Sequence, residues 1–283
     1  MCSGSLYKVT GAGRWFPAEP TILRQKIEGY VGQASLANPS RPILGAIAPH
    51  AGLAYSGAVA GYTYAALRAS ARRFGKPDVV VVLGFCHQPA IPGFALLDAR
   101  SILTPLGEIA VARDATEHFM GAVEDARLDS QAHAGEHSAE NQLPFLQCAL
   151  PDVPVALGLV CGHDANMMAE IGQALWALSQ AGSVVCIAST DLLHDPSYEK
   201  VCASDAETLR LMEKLDSDGL NKAWSYTQQV CCGIGPVLAL LHFIRAAGGQ
   251  RGEILFYQNS GDVDPSGRGH WVVGYGSIVF SGS

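Results

Sequence analysis

Charge is scarce in this chain. Only 16% of its 283 residues are Asp, Glu, Lys or Arg, and 19 basic residues face 26 acidic ones for a net charge of -7. Nucleic-acid surfaces need clustered Lys and Arg to meet phosphates, so this balance argues against DNA or RNA and for a small molecule or a protein partner. Long apolar runs are missing too: none reaches the ~18 to 20 residues that cross a bilayer, and no basic-then-apolar leader opens the chain. The expectation is a cytoplasmic protein with no membrane contact.

Other absences narrow the chemistry. The eight cysteines show no framework spacing and no C-x-x-C pair, which argues against a zinc ribbon and predicts that most thiols are reduced, buried and inert. No G-x-G-x-x-G follows a strand, no G-x-x-x-x-G-K-[ST] occurs, and there is no G-x-S-x-G elbow. Nucleotide binding by those loops and serine hydrolysis therefore lack their usual signals. There is no repeat and no Pro-, Ser- or charge-rich linker.

What is present is a large apolar fraction, 48%, arranged as an alternation. Strand-like runs at Ile43 to Ala48, Val79 to Gly84, Val153 to Val160, Val184 to Ser189, Ile254 to Gln258 and Val272 to Phe280 are separated by segments of helical period. Those helices are expected at Thr21 to Ala34, Gly57 to Ala71, Ala115 to Val123, Ser138 to Leu150, Ala165 to Gln180, Tyr198 to Leu215 and Ile234 to Ala247. Several strands are apolar without alternation, as strands covered on both faces are. The pattern predicts a single α/β domain over residues 1–283, a sandwich around a largely parallel or mixed sheet, with the last two strands paired. Ser260 to His270 reads as a loop that covers the site.

Three short stretches carry the chemistry: Pro49-His50-Ala51-Gly52, Cys86-His87-Gln88-Pro89 and Cys231-Cys232-Gly233. The first two follow strands, where open α/β sheets collect ligands; the third opens a helix, whose N-terminus favours a thiolate. Two imidazoles and a thiolate are a transition-metal donor set, so His50, His87 and Cys232 are the expected ligands. Cys86 is left out of the set, and Cys231 is read as structural. Asp191 and His194 lie just past another strand, and Glu136-His137-Ser138 precedes a helix with Ser138 as its expected cap. Asp191, His194 and His137 are the candidate catalytic residues, as acid–base groups or as orienters of the ligand imidazoles. Trp15, Phe16, Tyr55, Phe85 and Tyr257 are candidates to line a pocket for an aromatic substrate.

Taken in order, Trp15-Phe16-Pro17, Ala48-Pro49-His50-Ala51-Gly52 with Tyr55-Ser56-Gly57, Leu83-Gly84 with His87, Thr104-Pro105-Leu106-Gly107, Glu136-His137-Ser138 with Leu143-Pro144, Ser189-Thr190-Asp191 with His194, and Cys232-Gly233 with Gly235-Pro236 resemble the Memo family. That family includes an animal cell-motility mediator and the prokaryotic AmmeMemoRadiSam system protein B, and the likeness runs from Trp15 to Phe280. It implies a fold similar to the LigB-like class III extradiol dioxygenases, which cleave catechols with non-haem Fe(II). It also implies His50, His87 and Cys232 as metal ligands, surrounded by Asp191, His194 and His137. Ring-cleaving relatives complete the triad with a carboxylate where this chain has Cys232, and animal members carry a second His where it has Gln88.

The expected function is a metal-dependent oxidoreductase of dioxygenase type. Iron (Fe2+) is the first choice of cofactor, copper the second and zinc the third. Its partner would be a small, aromatic substrate or a peptide. A non-catalytic binding protein and a zinc hydrolase are the alternatives.

Overall fold

A computed structural model describes residues 5–88 and 91–282. Its strands are β1 (Leu6–Lys8), β2 (Ile43–Ala48), β3 (Val79–Phe85), β4 (Gly93–Leu96), β5 (Ser101–Thr104), β6 (Gly107–Ala110), β7 (Ala126–Leu128), β8 (Val155–Cys161), β9 (Val184–Ser189), β10 (His194–Asp195), β11 (Gly252–Asn259) and β12 (Val272–Ser281). The helices are α1 (Pro20–Gln33), α2 (Leu53–Phe74), α3 (Arg113–Ala122), α4 (Ser130–His133), α5 (Leu143–Ala149), α6 (Ala165–Ser179), α7 (Tyr198–Glu213), α8 (Ser217–Ala223), α9 (Ile234–Ala246) and α10 (Ser260–Val263).

β2, β3, β8 and β9 are apolar at nearly every position and buried along nearly their whole length, because helices cover both faces of the sheet they form. On β3 the side chains alternate. Val79, Val81 and Leu83 pack with Phe119, Ile171, Leu209 and Leu238 from α3, α6, α7 and α9. Val80 and Val82 face the other way, toward Leu23, Tyr64 and Leu146 of α1, α2 and α5. The result is a three-layered α/β sandwich. Close approach of α1 to α2 depends on Gly61, where a Cβ would stand 2.6 Å from the Tyr30 carbonyl oxygen.

The large sheet runs β10-β12-β2-β9-β3-β8-β4-β7, with β11 on β12. β2, β9, β3 and β8 are mutually parallel. The β10–β12, β11–β12, β12–β2 and β4–β8 pairs are antiparallel, so the sheet is mixed. A second sheet, β1-β5-β6, is built of strands too short to carry a periodic signal.

Several boundaries differ from the sequence reading for local reasons. The helix expected from Gly57 starts earlier, at Leu53, so that Tyr55-Ser56-Gly57 lies in the first turns of α2. The expected helix from Ser138 begins as a 3-10 turn over Glu140–Gln142 and becomes α only at Leu143. Ser260 to His270 is not all loop: α10 carries an Asn259–Asp262 capping box, a 3-10 turn follows at Pro265–Gly267, and Arg268 lies 4.0 Å over the Tyr198 ring, which ties the segment to the start of α7. Thiol pairing also departs from expectation. The β3–β8 ladder ends at Phe85 and Val160, so Cys86 and Cys161 leave it side by side, 5.2 Å apart at Cα, and form a disulfide. Cys148, Cys186, Cys202, Cys231 and Cys232 are free, and Cys2 lies outside the described residues. Among the described residues no helix is long and apolar enough to cross a membrane.

Candidate metal centre

Three adjacent parallel strands, in the order β2, β9, β3, each deliver a polar residue two positions past their last residue: His50, Asp191 and His87. This crevice beyond the carboxyl ends of parallel strands is where open α/β sheets bind ligands. Cys232 arrives from the turn ahead of α9. Its N–H donates to the Asp191 carbonyl at 3.2 Å, while the Asp191 N–H points at Cys232 Sγ at 3.3 Å. The Gly233 N–H donates to Thr190 Oγ1 at 2.8 Å. Any side chain at 233 would put a Cβ 2.4 Å from the Ser189 carbonyl oxygen, so only glycine lets the turn sit this close to β9.

His50 is 1% exposed, and its surroundings fix both its backbone and its ring. The His50 N–H donates to Asp191 Oδ1 at 2.8 Å and the Ala51 N–H to the same oxygen at 3.2 Å. The His50 carbonyl accepts from Asn141 Nδ2 at 2.6 Å and the Pro49 carbonyl from Gln142 Nε2 at 3.0 Å. Each of these groups, left without its partner, would cost ~1 to 3 kcal/mol. On the ring, Nδ1 lies 3.0 Å from Ser189 Oγ. That hydroxyl gives its only hydrogen to the Ser138 carbonyl at 2.6 Å, so it must accept from His50 Nδ1–H. Nε2 is then the bare nitrogen, and it faces Cys232 Sγ at 3.2 Å.

His87 is more open, its side chain 28% exposed. Glu136 clamps it twice: Oε2 accepts from the His87 N–H at 2.6 Å, and Oε1 lies 3.0 Å from Nδ1. A carboxylate on Nδ1 again leaves Nε2 as the free donor atom, the usual arrangement behind a ligating imidazole. Ser138, expected as a helix cap, instead spans to β3: its hydroxyl donates to the Phe85 carbonyl at 2.7 Å and accepts the Phe85 N–H at 2.9 Å. It makes no cap because the helix proper starts at Leu143.

His50, His87 and Cys232 thus each offer a donor atom within 4.8 Å of the other two, and His87, Glu136 and His137 form a second group of the same reach. His137 stacks on Trp15 at 3.9 Å and on His87 at 4.6 Å. Asp191 is buried with Oδ2 4.0 Å from His50 Nε2. His194 is exposed on β10, and with His87, Cys232, Phe85, Tyr226 and Trp271 it lines a cleft of about 810 Å³. Of the other aromatic candidates, Trp15 and Phe16 border a small cavity of about 10 Å³ beside Pro49 and Asn141. Tyr257 instead donates its hydroxyl to Asp205, and Tyr55 is 45% exposed.

Burial dominates the electrostatics. It pulls His50 down to about 3, aided by the charge of His87, and His137 down to about 3 as well, aided by His50 and His87. Both rings are neutral, as ligation requires. Burial would raise Glu136, but the His87 hydrogen bond and charge and the Ser138 and His87 N–H groups outweigh it and hold the carboxylate at about 2. Burial and then Asp191 push Cys232 well above the ordinary thiol range. The helix N-terminus does not by itself yield the expected thiolate, and Cys232 keeps its proton within reach of the bare His50 Nε2 at 3.2 Å and the Asp191 carbonyl at 3.6 Å. A cation is what would displace it.

The donor set fits a metal ion: two neutral imidazoles with tautomers fixed by Ser189 and Glu136, one thiol, and a cleft on the open side. The sequence reading missed the parts that fix them. Glu136 was visible as an unexplained acid beside His137 and Ser189 only as part of the Ser189-Thr190-Asp191 stretch, while Asn141 and Gln142 gave no signal in a helix-like run.

The chain is similar to known proteins over almost its whole length. The Memo-like protein family matches residues 8–279. MEMO1 family proteins from Methanopyrus kandleri and Methanosarcina acetivorans are 34% and 35% identical to the chain, each alignment covering 95% of it and 96% of the relative. The crystal structure of an uncharacterized protein, JW3007 from Escherichia coli, is similar in fold, with a TM-score of 0.51 at 14% identity over 83% of this chain and 99% of that one.

Proposed function

The chain belongs to the Memo-like protein family, and from that premise we propose that it is a metal-dependent oxidoreductase of the dioxygenase type, with a fold of the LigB-like class III extradiol class. The observation that carries the reading is the convergence of His50, His87 and Cys232 within 4.8 Å, with both imidazoles presenting a bare Nε2. Iron is the first choice of ion and copper the second. Zinc, the third, would turn the site toward hydrolysis. When bound, the ion would supply Lewis acidity and, for iron or copper, one-electron chemistry.

The protein's own residues do the rest. Ser189 and Glu136 hold the two rings in their ligating tautomers. His194 lines the cleft, and the protein packed around it holds its ring below the ordinary imidazole range despite the opposing pull of Asp191, so as a neutral base it takes the proton of a phenolic substrate and passes it to solvent. Asp191 holds the His50 backbone, and neutral His137, wedged between Trp15 and His87, closes the inner wall and keeps water from it. The cleft mouth carries Trp271 and Tyr226, 57% and 71% exposed. These two favour an aromatic small molecule, and in a second reading a peptide held without turnover.

The test is elemental analysis of protein purified without oxygen and without a His-rich tag, comparing wild type with His50→Ala, His87→Ala and Cys232→Ser. Near-stoichiometric iron or copper, lost in each folded variant, is expected, together with O2 uptake on a panel of catechols. A wild type that holds no metal after reconstitution would overturn the reading, and bound metal without turnover would leave the peptide-binding alternative.

A further inference from the structure

The disulfide lies at the root of the His87 limb. Cys86 is the residue before His87, and the parallel β3–β8 pairing stops one residue earlier, at Phe85 and Val160. Cys161 also pairs with Gly93, the first residue of β4, where the chain comes back to the sheet antiparallel to β8. Cys161 therefore meets the chain both where it leaves β3 and where it returns in β4, and the disulfide closes that neck. The other ties on the limb come from residues 136–138: Glu136 on the His87 N–H and ring, and Ser138 on Phe85. The Cys86–Cys161 bond is the covalent tie to β8.

We propose that the Cys86–Cys161 disulfide is a redox latch on the metal centre, which holds His87 in register with His50 and Cys232 when oxidised and lowers metal affinity when reduced. The proposal rests on the metal-binding reading. Cys86 is the partly exposed residue of the pair and Cys161 the buried one, so the attack of a thiolate is directed at Cys86 Sγ. The S–S bond breaks as the new S–S bond forms, and the electron pair and one proton go to Cys161. A second thiol of the reductant resolves the mixed disulfide and leaves Cys86 as a thiol. In all, two electrons and two protons enter the protein, and the dithiol reductant leaves as its own disulfide.

Linkage makes the effect reciprocal. If the oxidised form binds metal tenfold more tightly, metal must make the disulfide harder to reduce by about 30 mV. The experiment is anaerobic titration with cobalt(II), read by its thiolate charge-transfer band, on oxidised protein and on protein reduced with a dithiol that is then removed. Cys232→Ser in both states subtracts binding to other thiols. The double variant Cys86→Ala/Cys161→Ala supplies a form without the latch, and the midpoint potential of the disulfide is measured with and without cobalt. Expected are affinity at least threefold weaker in the reduced wild type, a double variant that binds like the reduced form and ignores reductant, and a potential lowered by cobalt. Binding that differs by less than threefold between the two states, or is tighter when reduced, would overturn the latch alone. No cobalt bound in either state would overturn the metal reading and the latch with it.

Discussion

Asp205 offers a direct check on how burial governs this molecule. The carboxylate lies on α7 with no exposed surface, seated so close to β12 that a Cβ on Gly274 would collide with it. It accepts the Leu193 N–H at 3.0 Å and the Tyr257 hydroxyl at 2.8 Å. Burial lifts its pKa to about 7, against the pull of those two bonds. In the unfolded chain the group returns to an ordinary carboxylate near 4. Between those values the folded state holds a proton that the unfolded state has released, so stability is full below about pH 4 and falls as pH rises toward 7. Three pKa units at 1.36 kcal/mol each set a ceiling of about 4 kcal/mol. Asp205→Asn keeps the shape, still accepts from Leu193, and cannot ionise. Urea unfolding of both proteins at pH 5 and pH 8 isolates this group, since other buried acids such as Asp191 and Glu140 contribute equally to each. The expected result is that wild type loses about 2 to 3 kcal/mol relative to the Asn variant between the two pH values, since the window covers only the two pKa units from pH 5 to 7. Parallel stability profiles would refute the reasoning.

Two further outcomes follow from the metal centre. Glu136→Gln leaves one oxygen where the structure uses two to accept three N–H groups, from the His87 backbone and ring and from Ser138. Metal affinity measured by calorimetry should fall ~10- to 100-fold, the usual cost of losing such a partner, and an unchanged affinity would remove the clamp from the account. Because Cys232 is held protonated by burial while His50 is already neutral, metal binding at pH 7.5 should release about one proton. Calorimetry in buffers of different ionisation enthalpy measures this, and release of none would mean that the thiol is not a ligand.

The sheet core and the three residues that converge at the strand ends, His50, His87 and Cys232, were legible because they obey local rules. A strand buried on both faces must be apolar throughout, and β2 and β9 were bounded to the residue while β3 ran one residue further. The three candidate ligands sit next to turns marked by Pro and Gly. Strand order was not legible, since nothing in the run Val184–Ser189 says that it inserts between β2 and β3. The disulfide was equally hidden, because 75 residues separate Cys86 from Cys161 and only the register of β3 on β8 brings them together.

The deepest miss is the stretch from Glu136 to Gln142, and it shows what organises the site. With a helix expected from Ser138, the sequence reading assigns Ser138 a capping role, His137 a catalytic one, and Glu136, Asn141 and Gln142 no structural task. In the fold those residues face inward and each holds a different piece of chain. Glu136 holds His87, and Ser138 holds the end of β3 by its hydroxyl and Ser189 by its carbonyl. Glu140 accepts Tyr7, Thr10 and Gly11 from the N-terminal segment, while Asn141 and Gln142 hold the His50 and Pro49 carbonyls. The two imidazoles are thereby joined by a continuous route, from His50 through Ser189 and Ser138 to Glu136 and His87. A segment with so many inward obligations cannot follow a helical period, which is why it starts as a 3-10 turn and why its pattern misled. The donor atoms come from strand ends and a helix start, but their tautomers and spacing are set from this one segment.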